Sequence, residues 1–269
     1  MKPFEVSRLR LDRAKEHGKS LAKIWNALPK GMLQIKFRAD PRTGKGEVVI
    51  PHVDAVPDEF SLLLGEQLYQ LRSALDACVY QAAIYATGQN PPSDEGKLEF
   101  PICSKPKDFA KQSRHRLSDL PQNLQDAIEK LQPYNMPLSL PPEETKKNLN
   151  RSLGILNDLA RKDRHRKLHI VGGWPYHFDP KFTVLPLGVT VHNLQIMQPG
   201  LLQDGTVLAT FQLKGFVAGM DIQVNPGLRM QIGCNEPPAP IDAGDTFDMR
   251  LVEMINCVHS VISAFETYF

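Results

Sequence analysis

The chain has 269 residues, of which 42% are apolar and 23% are charged; this balance is typical of a folded globular protein and argues against wholesale disorder. The 32 Lys and Arg residues against 30 Asp and Glu residues give a net charge of +2. A surface that is basic throughout is therefore excluded, and a role with nucleic acid or an acidic membrane would have to rest on a local basic patch.

The first 172 residues have the pattern of a mainly helical unit. An amphipathic stretch from Leu9 to Leu28 predicts a helix. Two short β-like runs, 33–37 and 47–50, flank a turn-rich segment and predict a hairpin. Three more helices are predicted at 58–87, 118–132 and 143–163. The helix at 58–87 is the strongest, because its leucines recur at steps of three and four and form a continuous seam.

The pattern changes near Gly172. From 182 to 233, apolar and polar residues alternate in short runs that Gly and Pro turns separate, which predicts an antiparallel β-meander. A Pro-rich segment then leads to a last helix, whose apolar seam runs from Phe247 to Phe265. The predicted fold class is α+β, with a helical bundle followed by an antiparallel β-meander and a C-terminal helix. We expect two units packed as one compact body: 1–172, with the hairpin at 33–50, and 173–269, with the sheet and the last helix.

Short motifs of several enzyme classes are absent from the sequence. It contains no H-E-x-x-H, G-x-S-x-G or G-x-G-x-x-G motif, which argues against a zincin, an α/β-hydrolase and a Rossmann enzyme. The four cysteines are far apart and form no C-x-x-C pair, so we expect reduced, mostly buried thiols and no metal knuckle. No apolar run approaches the roughly 18 residues of a membrane span. We therefore expect a cytoplasmic protein without a metal, a cofactor or a membrane partner.

The first candidate site is a polar row beside the leucine seam of the helix at 58–87. Tyr69, Arg72, Asp76 and Tyr80 follow one another at steps of three and four, which places them on one helical flank. Arg72 and Asp76 can form a structural ion pair that orients the helix. Alternatively, Arg72 grips a phosphate or carboxylate bidentately while Asp76 fixes its orientation. The residues alone leave both interpretations open.

The second candidate site is the basic segment 161–169. Five cations and two imidazoles stand there against one carboxylate, Asp163, within nine residues. Cations favour the C-terminal ends of helices, so a solvated helix end is one interpretation. The other is a phosphate-facing patch, in which His165 moves protons and the remaining groups bind anions. The expected phosphate-binding residues are Arg161, Arg164, Arg166 and His169.

Four segments resemble a bacterial family with no assigned activity, whose members carry a Leu-Arg-Ser-Ala-Leu-Asp-His helix and a later Asp-Lys-His-Arg motif. The segments are LGEQLYQLRSALDACVYQ, EFPI, LQPY and LNDLARKDRHRKL, within residues 55–170. The helix motif is similar in turn to the HEPN superfamily of helical bundles. Its active members are metal-independent ribonucleases built around an Arg and a His that follows four to six residues later. By this resemblance Arg72 would hold the scissile phosphate, and the expected His is replaced by Ala77.

Two functions from different classes follow. In the first, a HEPN-like protein engages RNA or another phosphate-bearing ligand and is a metal-independent or degenerate ribonuclease, with Arg72, Asp76 and His165 as its catalytic residues. In the second, the same Arg, Asp and His residues are helix-locking ion pairs of a non-catalytic structural or protein-interaction module. Ala77 favours the second function and the basic cluster favours the first. Whether the chain is an enzyme stays open, and the resemblance implies a homodimer.

Overall fold

A computed structural model describes residues 4–27, 33–137, 144, 148–168, 170–197, 202–225, 227–234 and 247–269. Within these ranges the protein has a mixed α+β fold, as predicted. The α-helices are α1 (Glu5–Ala27), α2 (Asp58–Thr87), α3 (Pro106–Arg116), α4 (Gln122–Lys130), α5 (Leu149–Asp163) and α6 (Phe247–Glu266). The strands are β1 (Leu33–Ala39), β2 (Lys45–Val53), β3 (Ile170–His177), β4 (Lys181–Val184), β5 (Thr190–Ile196), β6 (Thr206–Lys214), β7 (Gln223–Asn225) and β8 (Arg229–Cys234).

The long helix α2 is the centre of the helical core. Its predicted seam is confirmed, since Leu64, Leu68, Leu71 and Leu75 are all fully buried. Burying each leucine side chain contributes about 1.5–3 kcal/mol. Gly88 ends the helix in the left-handed conformation, with φ at 71° and its N–H donating to the carbonyl of Ile84; glycine adopts this conformation without steric cost.

The other helices pack around α2. Helices α1, α5 and α6 all contact it, and α6 also contacts α1 and α5. The C-terminal helix therefore buries its seam, including Val258, Val261 and Phe265, in the helical core. None of the helices in the described ranges is long and apolar enough to cross a membrane.

The strands are antiparallel, but their pairing order differs from a meander. The main sheet has the order β1-β2-β6-β5, and two separate ladders join β3 to β8 and β4 to β7. The early hairpin β1–β2 thus pairs with β6, far along the chain. A lone hairpin is only marginally stable in water, and this pairing lets Val48 and Ile50 join Leu208 and Phe211 in a second buried core.

Each of these two cores contains residues from both of the predicted units, 1–172 and 173–269. The hairpin, which precedes α2, contributes to the core of the sheet. Conversely, α6, which follows all the strands, contributes to the core of the helices. Each half of the chain therefore supplies one element to the core of the other half.

Candidate functional site

Helix α2 directs Arg72 and Asp76 onto the backbone of Phe100. Arg72 Nη2 donates a hydrogen bond of 2.6 Å to the Phe100 carbonyl oxygen. The Phe100 N–H donates in return to Asp76 Oδ1 at 2.9 Å. The same carboxylate lies 3.3 Å from Arg72 Nη2. The two side chains, one helical turn apart, thus hold both polar groups of one peptide residue and fasten α2 to the segment that precedes α3. We call this arrangement the Phe100 clamp.

Burial shifts the titration of both clamp residues toward their neutral forms. It lowers the pKa of Arg72, although the negative charges of Asp76 and Glu99 act in the opposite direction. It also raises the pKa of Asp76, against the effects of Arg72 and of the Phe100 N–H. Desolvation penalises each charge, and the partners of the clamp offset part of that penalty.

The Arg72 guanidinium is enclosed by protein. Only 12% of its side chain is exposed, and its Nη1 atom is buried without a hydrogen-bond partner among the described residues. A phosphate in solvent therefore has no direct contact with this group in the present conformation. For Arg72 and Asp76, the geometry favours the interpretation as a structural ion pair.

A second ion pair extends the clamp to α3. Arg116, the last residue of α3, lies 2.5 Å from the carboxylate of Glu99, the neighbour of Phe100. Neither residue was singled out by the sequence analysis, and α3 itself was missed. Its signals were nonetheless present: Pro106 at the first turn, Asp108 after it and three basic residues at the end. Only Phe109 of this helix is buried, so α3 has no apolar stripe that periodicity could detect.

The end of α5 lies beside the first half of α2. A Cβ atom on Gly65 would overlap the carboxylate of Asp163, so the missing side chain allows a close approach. The Ser61 hydroxyl donates to the carbonyl of Leu168 at 3.1 Å. Lys167 forms an ion pair with Asp58. These contacts anchor the basic segment to α2, and burial raises the pKa of Asp163.

His165, predicted as catalytic, and the four predicted phosphate-binding residues of the basic segment differ in their surroundings. Arg161, Arg164 and His165 are exposed, and their side chains have no hydrogen bond or ion pair within the described ranges. Arg161 lies in the last turn of α5, and Arg164 and His165 lie in the turn that follows it. Arg166 is also exposed. His169 lies outside the described residues.

Arg116 at the end of α3 and Arg164 after α5 both act electrostatically on Arg72 of α2. Their positive charges both lower the pKa of Arg72. The structure therefore brings the basic segment near Arg72, which requires α5 to pack beside α2. Arg72 lies beneath the surface, whereas Arg164 faces solvent.

No relatives guide the assignment. No protein-family model, curated protein or solved structure matches this chain. The function must therefore be argued from the geometry and charge of the residues themselves, and the likeness to HEPN bundles stays a prediction.

The flanking tyrosines have different surroundings. Tyr69 is 59% exposed, one helical turn before Arg72. Tyr80 donates a hydrogen bond of 3.2 Å to the carboxylate of Glu95. Within the described ranges, no group of three or more His, Cys, Asp or Glu residues is arranged to hold a metal ion.

A cavity of about 660 Å³ lies on the four-stranded sheet, away from all predicted site residues. Arg38, Glu47, Thr210 and Gln195 form a row across its strands, because each pairs with the next in register. Two cations and two carboxylates line the cavity. A lining without net charge is poorly suited to phosphate, so the end of α5 remains the better candidate for an anion site.

Proposed function

We propose that the helical core is a HEPN-like bundle that binds RNA through the basic face at the end of α5. The supporting observation is that Arg161, in the last turn of α5, and Arg164 and His165, in the turn that follows it, are exposed and have no hydrogen bond or ion pair among the described residues. Guanidinium groups bind phosphate oxygens bidentately. The His165 imidazole beside them adds a hydrogen-bond donor.

Several cations elsewhere in the helical core are paired with carboxylates. Arg8 is paired with Glu266, Arg116 with Glu99 and Lys167 with Asp58. Arg161 and Arg164, at the end of α5, instead have no carboxylate partner among the described residues. The negative end of the helix dipole stabilises them by about 0.3–1 kcal/mol each, and a phosphate would neutralise them further.

Arg72 serves this function as a positioning residue. Its hydrogen bond to Phe100 fixes the segment that carries Glu99 and leads to α3.

His165 is the residue that decides between binding and cleavage. Metal-free cleavage of RNA needs a base for the 2′-hydroxyl proton and an acid for the leaving oxygen. His165 is exposed beside the proposed phosphate contacts and would fill one of these roles. With Ala77 in place of the expected His, we propose that any cleavage is weak and depends on His165.

The test is fluorescence anisotropy of the full chain with a labelled 12-nucleotide oligouridylate at several salt concentrations. We expect the logarithm of the association constant to fall linearly with the logarithm of the salt concentration. The slope should be about −0.7 for each phosphate contact. Arg161→Gln/Arg164→Gln should weaken binding, whereas Arg42→Gln, at an exposed hairpin turn, should not. Absence of binding at low salt, or binding that salt does not weaken, would overturn the proposal.

Cleavage is measured separately on the same oligonucleotide. Gel analysis of wild type and His165→Ala, in the presence of a chelator, distinguishes a ribonuclease from a binding protein. Activity that survives in His165→Ala would exclude the proposed role of this imidazole.

A non-catalytic structural or protein-interaction module is the second candidate. The Phe100 clamp favours it, because Arg72 and Asp76 form their hydrogen bonds with the protein backbone. The Lys167–Asp58 pair adds a helix-locking contact. If RNA does not bind, this function is the one that the same residues support.

We also propose that the protein forms a homodimer through α2. Leu62, near the start of this helix, is 62% exposed. A large exposed apolar side chain can form part of an interaction surface. Sedimentation velocity of wild type and Leu62→Lys tests this: we expect a dimer that the substitution dissociates, and a monomeric wild type would contradict it.

A further inference from the structure

The sequence contains the triplet Arg-His-Arg twice. One copy is Arg114-His115-Arg116, at the end of α3, and the other is Arg164-His165-Arg166, directly after α5. Both triplets therefore lie at the C-terminal ends of helices, where the helix dipole favours cations. The first triplet belongs to the helix that sequence periodicity did not reveal.

The first triplet is anchored next to the Phe100 clamp. Arg116 pairs with Glu99 at 2.5 Å, and the next residue along the chain, Phe100, accepts the hydrogen bond from Arg72. One ion pair, one peptide bond and one hydrogen bond thus connect the end of α3 to Arg72. The end of this helix has little freedom to move away from α2.

The second triplet is anchored to α2 through the residue that precedes it. Asp163, the residue before it, packs against Gly65 of α2. Gly65 precedes Arg72 by seven residues, or about 10.5 Å along the helix axis at 1.5 Å per residue. Residues seven apart lie on the same face of a helix, so the contacts at Gly65 and at Arg72 hold the ends of α5 and α3 along one face of α2.

Each triplet leaves an Arg and a His without a protein partner. Arg114 and His115 are exposed, as are Arg164 and His165. The side chains of these four residues have no hydrogen bond or ion pair within the part of the chain that the structure describes. Two helix ends that are anchored to α2 therefore each present a free guanidinium group and a free imidazole group.

We propose that the two Arg-His-Arg triplets form one composite site for the backbone of single-stranded RNA, which would pass over Arg72 and contact both helix ends. This inference rests on the proposed RNA-binding function and extends it from one helix end to two. A polymer with phosphates at regular intervals can contact both triplets at once, whereas a single phosphate occupies one. The sheet cavity, whose lining has no net charge, offers no comparable surface.

Tyr69 favours a single strand over a duplex. Its side chain is largely exposed, and it lies one helical turn from Arg72 on the same flank of α2. An exposed aromatic ring beside backbone-binding cations is the arrangement on which unpaired bases stack. The bases of a duplex are already stacked on one another and do not reach such a ring.

The experiment compares the single variants Arg114→Gln and Arg164→Gln with wild type, each as the full chain. Anisotropy of a labelled 12-nucleotide oligouridylate measures affinity, and uridine monophosphate serves as a competitor. We expect each single variant to weaken RNA binding about three- to tenfold and to reduce the salt slope by about 0.7. Uridine monophosphate should compete only at far higher concentration than unlabelled oligouridylate. Arg42→Gln is the matched control, and circular dichroism verifies that each variant is folded.

The outcomes separate this inference from the function on which it rests. If Arg164→Gln weakens RNA binding and Arg114→Gln does not, the composite site is wrong while RNA binding by α5 stands. If wild type does not bind the oligonucleotide, both proposals fail. Equal losses in all three variants, including Arg42→Gln, would show a general charge effect and would overturn the composite site. Tighter binding of a 12-base-pair duplex than of the single strand would overturn the assignment to single-stranded RNA.

Discussion

Gly65 sets how closely Asp163 approaches α2. A Cβ atom at position 65 would lie 2.6 Å from Asp163 Oδ1 and still closer to Oδ2. Glycine in a helix interior costs about 1 kcal/mol relative to alanine. The close packing of α5 on α2 therefore depends on a residue that is locally unfavourable for the helix, and this packing determines where Arg164 lies.

We predict that Gly65→Ala lowers the free energy of unfolding in wild type and raises it in the Asp163→Ala variant. In wild type the methyl group must displace Asp163, and we expect a loss of about 1 kcal/mol in the free energy of unfolding. In Asp163→Ala the overlap is gone, and the better helix propensity should give a gain of up to about 1 kcal/mol. Urea unfolding of the four proteins measures the coupling, for which we expect about 1–2 kcal/mol. Additive effects would show that the two residues do not touch.

The Phe100 clamp leads to a prediction on stability. Arg72→Ala leaves the Phe100 carbonyl without its donor and Asp76 without its cation, so we expect a loss of about 2–4 kcal/mol. Arg13→Ala is the control, because Arg13 pairs with Glu16 on the surface with both side chains 60% exposed. Such pairs contribute about 0–1 kcal/mol. Urea unfolding with a shared m-value compares them, and equal losses would refute a structural role for the clamp.

Helix prediction from the sequence depended on apolar periodicity. The seam of α2 and its end at Gly88 were predicted because packing and capping are both local patterns in the chain. Helix α3 was missed because it buries one residue, Phe109. The sequence signals of this helix lie at its two ends instead. Its basic C-terminal end contains the Arg-His-Arg triplet of the proposed site.

The sequence pattern does not predict which strands pair when they lie far apart in the chain. The alternation in β2 and β6 predicts two strands, but nothing local in either strand specifies that Glu47 pairs with Thr210. The same limit applies to the candidate site. Arg72 and Asp76 were selected for their spacing, yet their partner is the backbone of Phe100, and backbone atoms carry no residue-type signal.

Thiol reactivity provides a prediction about the core. Burial raises the pKa of Cys78 and Cys257 to about 12, and it also raises the pKa of Cys103. The thiolate is the reactive form, so all three should be inert to an aromatic disulfide reagent at pH 8 in the native protein. Cys234→Ser removes the fourth thiol from the measurement. We expect three thiols to react only in urea, and fast labelling of one in the native state would contradict the described packing.

The last prediction concerns an exposed charge cluster at the C-terminal end of β2. His52 Nδ1 lies 3.0 Å from Asp204 Oδ2, and its Nε2 lies 3.3 Å from Asp54. Asp204 also accepts a hydrogen bond of 2.8 Å from the Val53 N–H. The hydrogen bond with Asp204 raises the pKa of His52, and Asp54 adds a smaller effect in the same direction. His52 in turn lowers the pKa of Asp204.

The pH dependence of this pair follows from the two shifts. Because the folded-state pKa of His52 is raised, its contribution to stability is complete below the unfolded pKa, about 6.5, and is lost as pH rises through the folded pKa. Because the pKa of Asp204 is lowered, its contribution is complete above the unfolded pKa, about 3.9, and is lost as pH falls through the folded pKa. The pair therefore stabilises the fold most between these two limits.

Substitution of the carboxylates tests the assignment. Asp204→Asn should lower the pKa of His52 toward its ordinary value, and Asp54→Asn should lower it less, because Asp204 makes the stronger interaction. Titration of the His52 imidazole by NMR measures both changes in the full chain. An imidazole that titrates identically in wild type and Asp204→Asn would show that the pair does not form in solution. If Asp54→Asn gives the larger change, the main partner of His52 is Asp54, through Nε2 instead of Nδ1.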